Sequence, residues 1–276
     1  MIKDLYEPGF SFPNIQLCSD KGFNLRLLIL VMSAPDHFTQ RESIRNSWGN
    51  FTADQRDIAL GFLIGATNNE TLKHKLLKEN RSHGDLIRSK SFDIYRNLTL
   101  KSLAMLEWTM TYCPMVSFLL KTDDDTFINM KVLLEFMKNH SENRTIYGYV
   151  RTDDSIKRNK SSKYYVSEGE YDKNDLPAYV TGHIYLLTTD IISDLYTKAL
   201  EMKFLCLEDV FITGLVAETL GIPRKPMKRI DFNTAKLSSN SCLITTSTAI
   251  VDINPEEQSK YWSYLQDKDL IEKCTV

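Results

Sequence analysis

An α/β fold built on a mostly parallel central sheet is what this sequence predicts. Three observations carry that expectation. Residues 25–33 and 58–65 are continuous apolar runs, the pattern of strands covered on both faces. A helical pattern follows each of them. A further apolar run, 116–120, empties into Asp123, Asp124 and Asp125. Open α/β sheets bind their ligands at the carboxyl ends of strands.

The elements follow in order. After the first strand, Ala34 and Pro35 break the chain. Thr39 and Glu42 have the spacing of a capping box, so a helix is expected from Thr39 towards Trp48, ending at Gly49. Residues 68–79 read as a second helix and 85–88 as a short strand. Leu98, Leu103, Leu106 and Met110 share one face of a helix over 97–112. Residues 130–139 are expected to be helical, 145–151 and 179–187 strands, and 190–202 a helix. Polar residues 153–163 read as an exposed loop. Residues 208–220 are expected as an α-helix stopped by Gly221 and Pro223, and 243–252 as a strand. With no repeat or linker, residues 25–276 form one domain and 1–24 an N-terminal extension.

Composition excludes several classes. The chain has 276 residues, 42% hydrophobic and 25% charged, enough to bury a core. A net charge of -2 with no basic run argues against nucleic acid as a partner. The apolar runs are far short of the roughly 20 residues that cross a bilayer. Yet Asn-x-Ser/Thr sequons begin at Asn50, Asn69, Asn80, Asn97, Asn139, Asn143 and Asn159, the mark of a glycosylated, secretory-pathway protein. The expectation is a luminal protein, attached to a membrane only through a segment outside these residues. Cys18, Cys113, Cys206, Cys242 and Cys274 contain no CxxC pair, which leaves room for two disulfides and one free thiol in an oxidising lumen. Their pairing stays open.

Asp123, Asp124 and Asp125 are the sharpest chemical feature. Three adjacent carboxylates repel and call for a neutralising partner, such as a hard divalent cation. An EF-hand wants Gly at the sixth position, where Ile128 stands counting from Asp123. An aspartyl phosphatase wants Thr where Phe127 stands. A metal–diphosphate site remains, with Asp-x-Asp holding Mn²⁺ or Mg²⁺ against a departing nucleoside diphosphate. Glu208 and Asp209 offer a carboxylate base for an attacking hydroxyl, although acidic residues are also favoured in any first helical turn. Arg41 and Arg45, four apart, share a helix face and would pair with pyrophosphate or with acidic neighbours. Trp48 reads as core or as a sugar-stacking platform. His183, with no second His nearby, reads as a hydrogen-bonded pocket residue.

These motifs together resemble the β-1,3-galactosyl- and β-1,3-N-acetylglucosaminyltransferases of glycosyltransferase family 31. Arg41, Ile44, Arg45, Ser47, Trp48 and Gly49 follow the family's R-x-x-I-R-x-T-W-G. Residues 62–65 (FLIG) come next, and then Asp93, Tyr95, Asn97, Leu98, Thr99, Leu100 and Lys101 follow D-x-Y-x-N-L-T-L-K. Lys121 to Asp125, Pro177 with Tyr179 and Gly182, and Glu208 to Val210 complete the series in order. The resemblance implies a GT-A type fold, with a donor half over about residues 25–130 and an acceptor-facing catalytic half over about 131–276. It implies inverting transfer from a UDP-sugar, UDP-galactose or UDP-N-acetylglucosamine, to the 3-hydroxyl of a glycan on protein or lipid, in the Golgi lumen. Asp125 would ligate the metal, with Asp123 at the ribose or in the metal's water shell. Asp209 would be the base with Glu208 beside it. Arg41, Arg45, Asp93, Lys101, Asp124 and Gly182 would line the donor side. Two departures stand out. Ile184 replaces a family Gly and is expected to fill space beside a bound sugar. Val251 stands where relatives carry a His, so Asp252 or water would take that ligand's place. These departures motivate an alternative, an inactive sugar-binding relative; a hydrolase using the same groups is a third reading.

Overall fold

The computed structural model describes residues 1–140, 142–232 and 241–275. Eight strands form the main sheet. They are β1 (Phe10–Phe12), β2 (Leu27–Met32), β3 (Ile58–Ala66), β4 (Leu86–Phe92), β5 (Phe118–Asp123), β7 (Ile146–Arg151), β8 (Tyr179–Thr188) and β9 (Arg224–Pro226), in the spatial order β1-β4-β3-β2-β5-β8-β7-β9. Strands β4, β3, β2 and β5 run parallel, β8 is antiparallel to both neighbours, and β9 is parallel to β7. The helices are α1 (Phe38–Arg45), α2 (Glu70–His83), α3 (Leu98–Tyr112), α4 (Met130–Lys138), α5 (Ile192–Leu200), α6 (Ala217–Thr219), α7 (Ser241–Thr246), α8 (Pro255–Gln266) and α9 (Lys268–Thr275). A π-helix, Val210–Val216, leads into α6. The expected α/β class is therefore present.

Strand β2 explains the two-sided core. All six of its residues are buried. Leu28, Leu30 and Met32 join one apolar cluster with α3, α5 and the π-helix, while Leu27, Ile29 and Val31 join another with Trp48, Phe62 and Leu133. Alternation along the strand sends successive side chains to opposite faces, so a run apolar at every position needs cover on both. Trp48 is fully buried, which makes it core rather than a sugar platform.

The connection order sets the crevice. From β2 the chain winds outward through β3 to β4, then returns along α3 to place β5 on the other side of β2. Such a reversal opens a crevice at the strand carboxyl ends. Here those ends are Met32 and Asp123, which lie side by side in register. A second, three-stranded sheet orders β10 (Ile230–Asp231), β11 (Ala249–Ile250) and β6 (Phe127–Ile128), tying the C-terminal tail to the segment after the acidic triplet.

Several local expectations are revised. Helix α1 starts after His37, not at Thr39, and Thr39 forms no cap; the His37 ring is held by Asp124 instead. Residues 243–252 divide between α7 and β11 rather than forming one strand, and Cys242 at the head of α7 is bonded to Cys274. The second disulfide joins Cys18 to Cys113, and Cys206 is the buried free thiol among the described cysteines. The first 24 residues pack into the domain: Ile2 and Tyr6 are buried, β1 pairs with β4, and Cys18 anchors the segment to Cys113. No helix among the described residues is long and apolar enough to cross a membrane. Asn50, Asn143 and Asn159 are exposed. Asn97 instead donates its amide to the Phe92 carbonyl, and Thr99 of the same sequon is buried. Ser141, within the Asn139 sequon, is outside the described residues.

Candidate active site

A narrow cleft of about 200 Å³ opens at the switch point. Met32, Asp123, Asp125, Asp252, Glu208 and Asp209 line it. A second cleft, about 510 Å³, is lined by Tyr149, Tyr179, Phe232 and Arg151 among others. The two share a wall made by Tyr164, His183, Leu207 and Asp209. A larger groove of about 920 Å³ lies elsewhere, between α1, α2 and α8. It is shallow, and its buried acid, Glu79, is consumed by Arg41 and Arg45.

The acidic triplet splits by position. Asp123 and Asp125 face the narrow cleft, while Asp124 turns away and meets His37 Nδ1 at 2.9 Å. That carboxylate holds the His37 imidazole above its ordinary range, chiefly through the hydrogen bond. The pair braces the turn after β2. Asp125 Oδ1 is buried without a hydrogen-bond partner. Burial, then the charges of Asp123, Asp124 and Asp252, push its carboxyl up to about 7. The Ile253 amide donates to the Asp125 carbonyl at 2.9 Å, which fixes the tail beside it, and Asp252 takes a left-handed φ of 59°. Val251 is core, so Asp252 is the tail residue that reaches the cleft.

An orphaned buried carboxylate oxygen among like charges fits a hard divalent cation. Among the described residues no three His, Cys, Asp or Glu side chains converge into a complete metal cage. Asp125 is the residue that best fits such an ion, with Asp123 and Asp252 on the same cleft wall.

Glu208 and Asp209 precede the π-helix, where π-turns recur at functional sites. Thr213 staples that helix to β8, donating to the Val180 carbonyl and accepting from its amide at 2.8 Å. Asp209 Oδ2 accepts the Gly182 amide at 3.0 Å and Oδ1 the Val210 amide at 2.9 Å. Burial raises the Asp209 carboxyl, and these two N–H bonds oppose it. A Cβ on Gly182 would stand 3.2 Å from Glu208 Oε2, so a side chain there would crowd both acids. Glu208 is buried and accepts the Tyr185 hydroxyl at 2.6 Å. Lys121 lies between the groups: its ammonium binds Asp123 Oδ1 at 2.6 Å and the Gly182 carbonyl, and stands 3.9 Å from Glu208. Burial works against that ammonium, but Asp123 and Glu208 outweigh it and hold it charged.

The other residues expected on the donor side stand behind the wall. Arg41 is fully buried. It forms a two-pronged ion pair with Glu79 at 2.8 and 2.7 Å and donates to Ser33 Oγ and the Ala34 and Pro35 carbonyls. Arg45 pairs with Glu79 and Asp85. Lys101 bonds Asp93 and the Ser33 carbonyl, and Asp93 accepts the Gly65 amide. Neither arginine nor the Asp93–Lys101 pair faces the cleft; together they hold the loop that follows β2. Ile184 is also buried, in the apolar cluster on the opposite sheet face, so it does not fill sugar space as expected. Its strand carries the irregular register between β7 and β8, where Gly148 pairs with Tyr185 but Val150 with Val180. His37, Lys163 and Phe232 were not anticipated from sequence. Lys121 carried a signal, as a lone charge inside an apolar strand.

Breaking the Arg41 cluster is expected to cost folding rather than binding. Arg41→Met would remove one partner of a buried pair, a loss of about 3–5 kcal/mol. Thermal melts should fall by about 2–4 °C for each kcal/mol in a domain of this size. Nucleotide affinity per folded molecule should hold; a wild-type melt with lost affinity would instead place Arg41 at the ligand.

A crevice at the switch point of a mostly parallel sheet, lined by acids on one side and by aromatic rings on the other, is the ligand-binding position of an open α/β fold. The family model described as Galactosyltransferase matches residues 39–228. Beta-1,3-galactosyltransferase 2 of Mus musculus is 32% identical over 246 residues, covering 87% of this chain and 58% of that protein. Beta-1,3-galactosyltransferase 5 of Homo sapiens is 31% identical over 244 residues, covering 87% and 78%. A solved structure, the apo bifunctional glycosyltransferase WbbM, overlays at a TM-score of 0.49 and 10% identity, covering 92% of this chain and 52% of that one. The chain belongs to the galactosyltransferase family. It spans little more than half the length of the first of these relatives.

Proposed function

We propose that this protein is an inverting glycosyltransferase that moves a hexose or N-acetylhexosamine from a UDP-sugar to the 3-hydroxyl of an acceptor glycan. The relatives' names make β-1,3 transfer of galactose the first donor and linkage to test, with N-acetylglucosamine second. One observation carries the reading: Asp209 stands on the wall common to the acidic and the aromatic cleft. A donor diphosphate at Asp123 and Asp125 and a sugar against Tyr149, Tyr179 and Phe232 would meet there. Inversion needs that arrangement, with the base beside the attacking hydroxyl and across the anomeric carbon from the leaving group. A divalent cation, Mn²⁺ or Mg²⁺, would supply charge to the departing diphosphate. Asp125 would hold it, with Asp123 and Asp252 at hand. Asp209 takes the acceptor proton, and the Gly182 and Val210 amides keep its carboxylate aimed. Tyr185 and Lys121 fix Glu208, which orients rather than moves. The sequons and two disulfides support a luminal, Golgi setting.

A second reading, a sugar-binding relative without turnover, is favoured by Val251, a core side chain that offers no metal ligand. A panel of UDP-sugars with Mn²⁺, assayed for UDP release with and without acceptor sugars, decides. Release only with an acceptor is expected. Release without one would make the protein a hydrolase, and binding without release would leave the second reading.

A further inference from the structure

The narrow cleft has an unbalanced wall. Asp123, Asp125, Glu208, Asp209 and Asp252 are acids that a departing diphosphate must approach. The lysines on that wall are Lys121 and Lys163. Lys121 is spent, bonded to Asp123 and the Gly182 carbonyl and buried beneath them. Lys163 is exposed, and among the described residues no carboxylate lies within ion-pair distance of it. Its ammonium stands 4.8 Å from the Tyr164 ring centroid. The neighbouring Tyr164 first, and then the fields of Asp252 and Asp125, favour its charged form against partial burial, and it lines the same cleft as those acids.

The turn that carries it is pinned. Arg158 donates to the Val166, Tyr171 and Lys173 carbonyls, and Arg96 to the Tyr165 carbonyl and to Glu170. Val166 is fully buried, and its amide closes on the Lys157 carbonyl at 3.1 Å. A cation on a fixed turn over a cleft mouth costs little reorganisation when charge develops below it.

We propose that Lys163 is a further catalytic residue, a protein-borne cation that contacts the diphosphate of the donor and stabilises it as it leaves. The inference rests on the nucleotide-sugar reading. In the step it serves, the acceptor oxygen bonds to the anomeric carbon and its proton passes to Asp209. The bond from that carbon to the diphosphate oxygen breaks, and its electron pair stays on the diphosphate. Lys163 meets that new charge, which a bound divalent cation would also help to neutralise, and Tyr164, shared by both clefts, holds the lysine stem in place.

Calorimetry of UDP and of uridine, each with Mn²⁺, against wild type, Lys163→Met and Lys163→Arg is the test, with melts to confirm folding. Lys163→Met should bind UDP about tenfold more weakly, the value of one charge-assisted bond, and uridine unchanged. Its turnover should fall by on the order of 10²-fold. Lys163→Arg should recover most of both. Equal UDP affinity and turnover in Lys163→Met would overturn the inference and leave the nucleotide-sugar reading intact. Equal losses for UDP and uridine would also overturn it, because they mean a distorted cleft. A wild type that binds no UDP at all would remove the underlying reading and this inference with it.

Discussion

Asp209→Asn is expected to lose transfer activity by about 10²–10⁴-fold while still binding UDP with Mn²⁺. The substitution keeps the shape of the side chain but removes the acceptor for the hydroxyl proton. The Gly182 and Val210 amides, at 3.0 and 2.9 Å, can still be satisfied by one amide oxygen only, so one of them loses its bond. That is a small structural cost beside the chemical one. Glu208→Gln is expected to be milder for turnover and worse for stability. Its carboxylate accepts from Tyr185 and faces Lys121, so neutralising it leaves a buried ammonium with less compensation. Steady-state rates with saturating donor, paired with UDP calorimetry, separate the two. Near-normal turnover in Asp209→Asn with a dead Glu208→Gln would exchange their roles. Normal turnover in both would remove carboxylate base catalysis from this site.

What the sequence makes legible here is local, and what it hides is partnership across distance. Strands β2, β3 and β5 announce themselves as apolar runs because a parallel sheet must be covered twice. The acidic triplet at the end of β5 follows from the same run. Its division does not: Asp124 faces His37, 87 positions away in the chain, and no spacing reveals that. Arg41 and Arg45 do share a face, as their spacing says, but the acid that consumes both is Glu79 on α2. Residues 243–252 are rich in Ile and Thr and so read as a strand, yet a disulfide to Cys274 and packing against α8 and α9 hold their first part as helix. Ile184 stays in regular register with Thr122 on β5 and points into the core on the opposite face, leaving its neighbour His183 at the cleft. The basic and aromatic wall was hidden for a plainer reason. Lys163 belongs to a stretch whose polarity reads as solvent-exposed loop, and exposure alone does not tell a cleft mouth from open surface.

Asp125→Asn is expected to move stability and function in opposite directions. In the ligand-free protein the Asp125 carboxyl titrates at about 7, against an ordinary 3.8, because burial and three neighbouring acids disfavour its charge. A carboxyl raised on folding destabilises the fold wherever the unfolded chain would ionise it. The penalty is absent below the unfolded value near 3.8, grows as pH rises, and is complete above about 7. An Asn carries no such charge. At pH 8 the variant without metal should melt above wild type, by about 2–4 °C for each kcal/mol relieved. At pH 4 the two melts should converge. Metal binding reverses the order. Wild type loses a proton from Asp125 to take up Mn²⁺, so its metal-dependent UDP affinity should strengthen as pH rises through 7 and its melt should climb with added Mn²⁺ and UDP. The variant lacks the anionic oxygen and should show neither response. Melts at pH 4 and pH 8, each with and without Mn²⁺ and UDP, test all of this in one design. A variant less stable than wild type at pH 8 without metal would mean that the Asp125 carboxylate is already satisfied within the protein. A variant that still binds UDP in a Mn²⁺-dependent way would move the metal to another carboxylate, with Asp123 and Asp252 the nearest to examine. A charge cluster that strains the ligand-free fold at Asp125 would in that case be the cluster that recruits the cation.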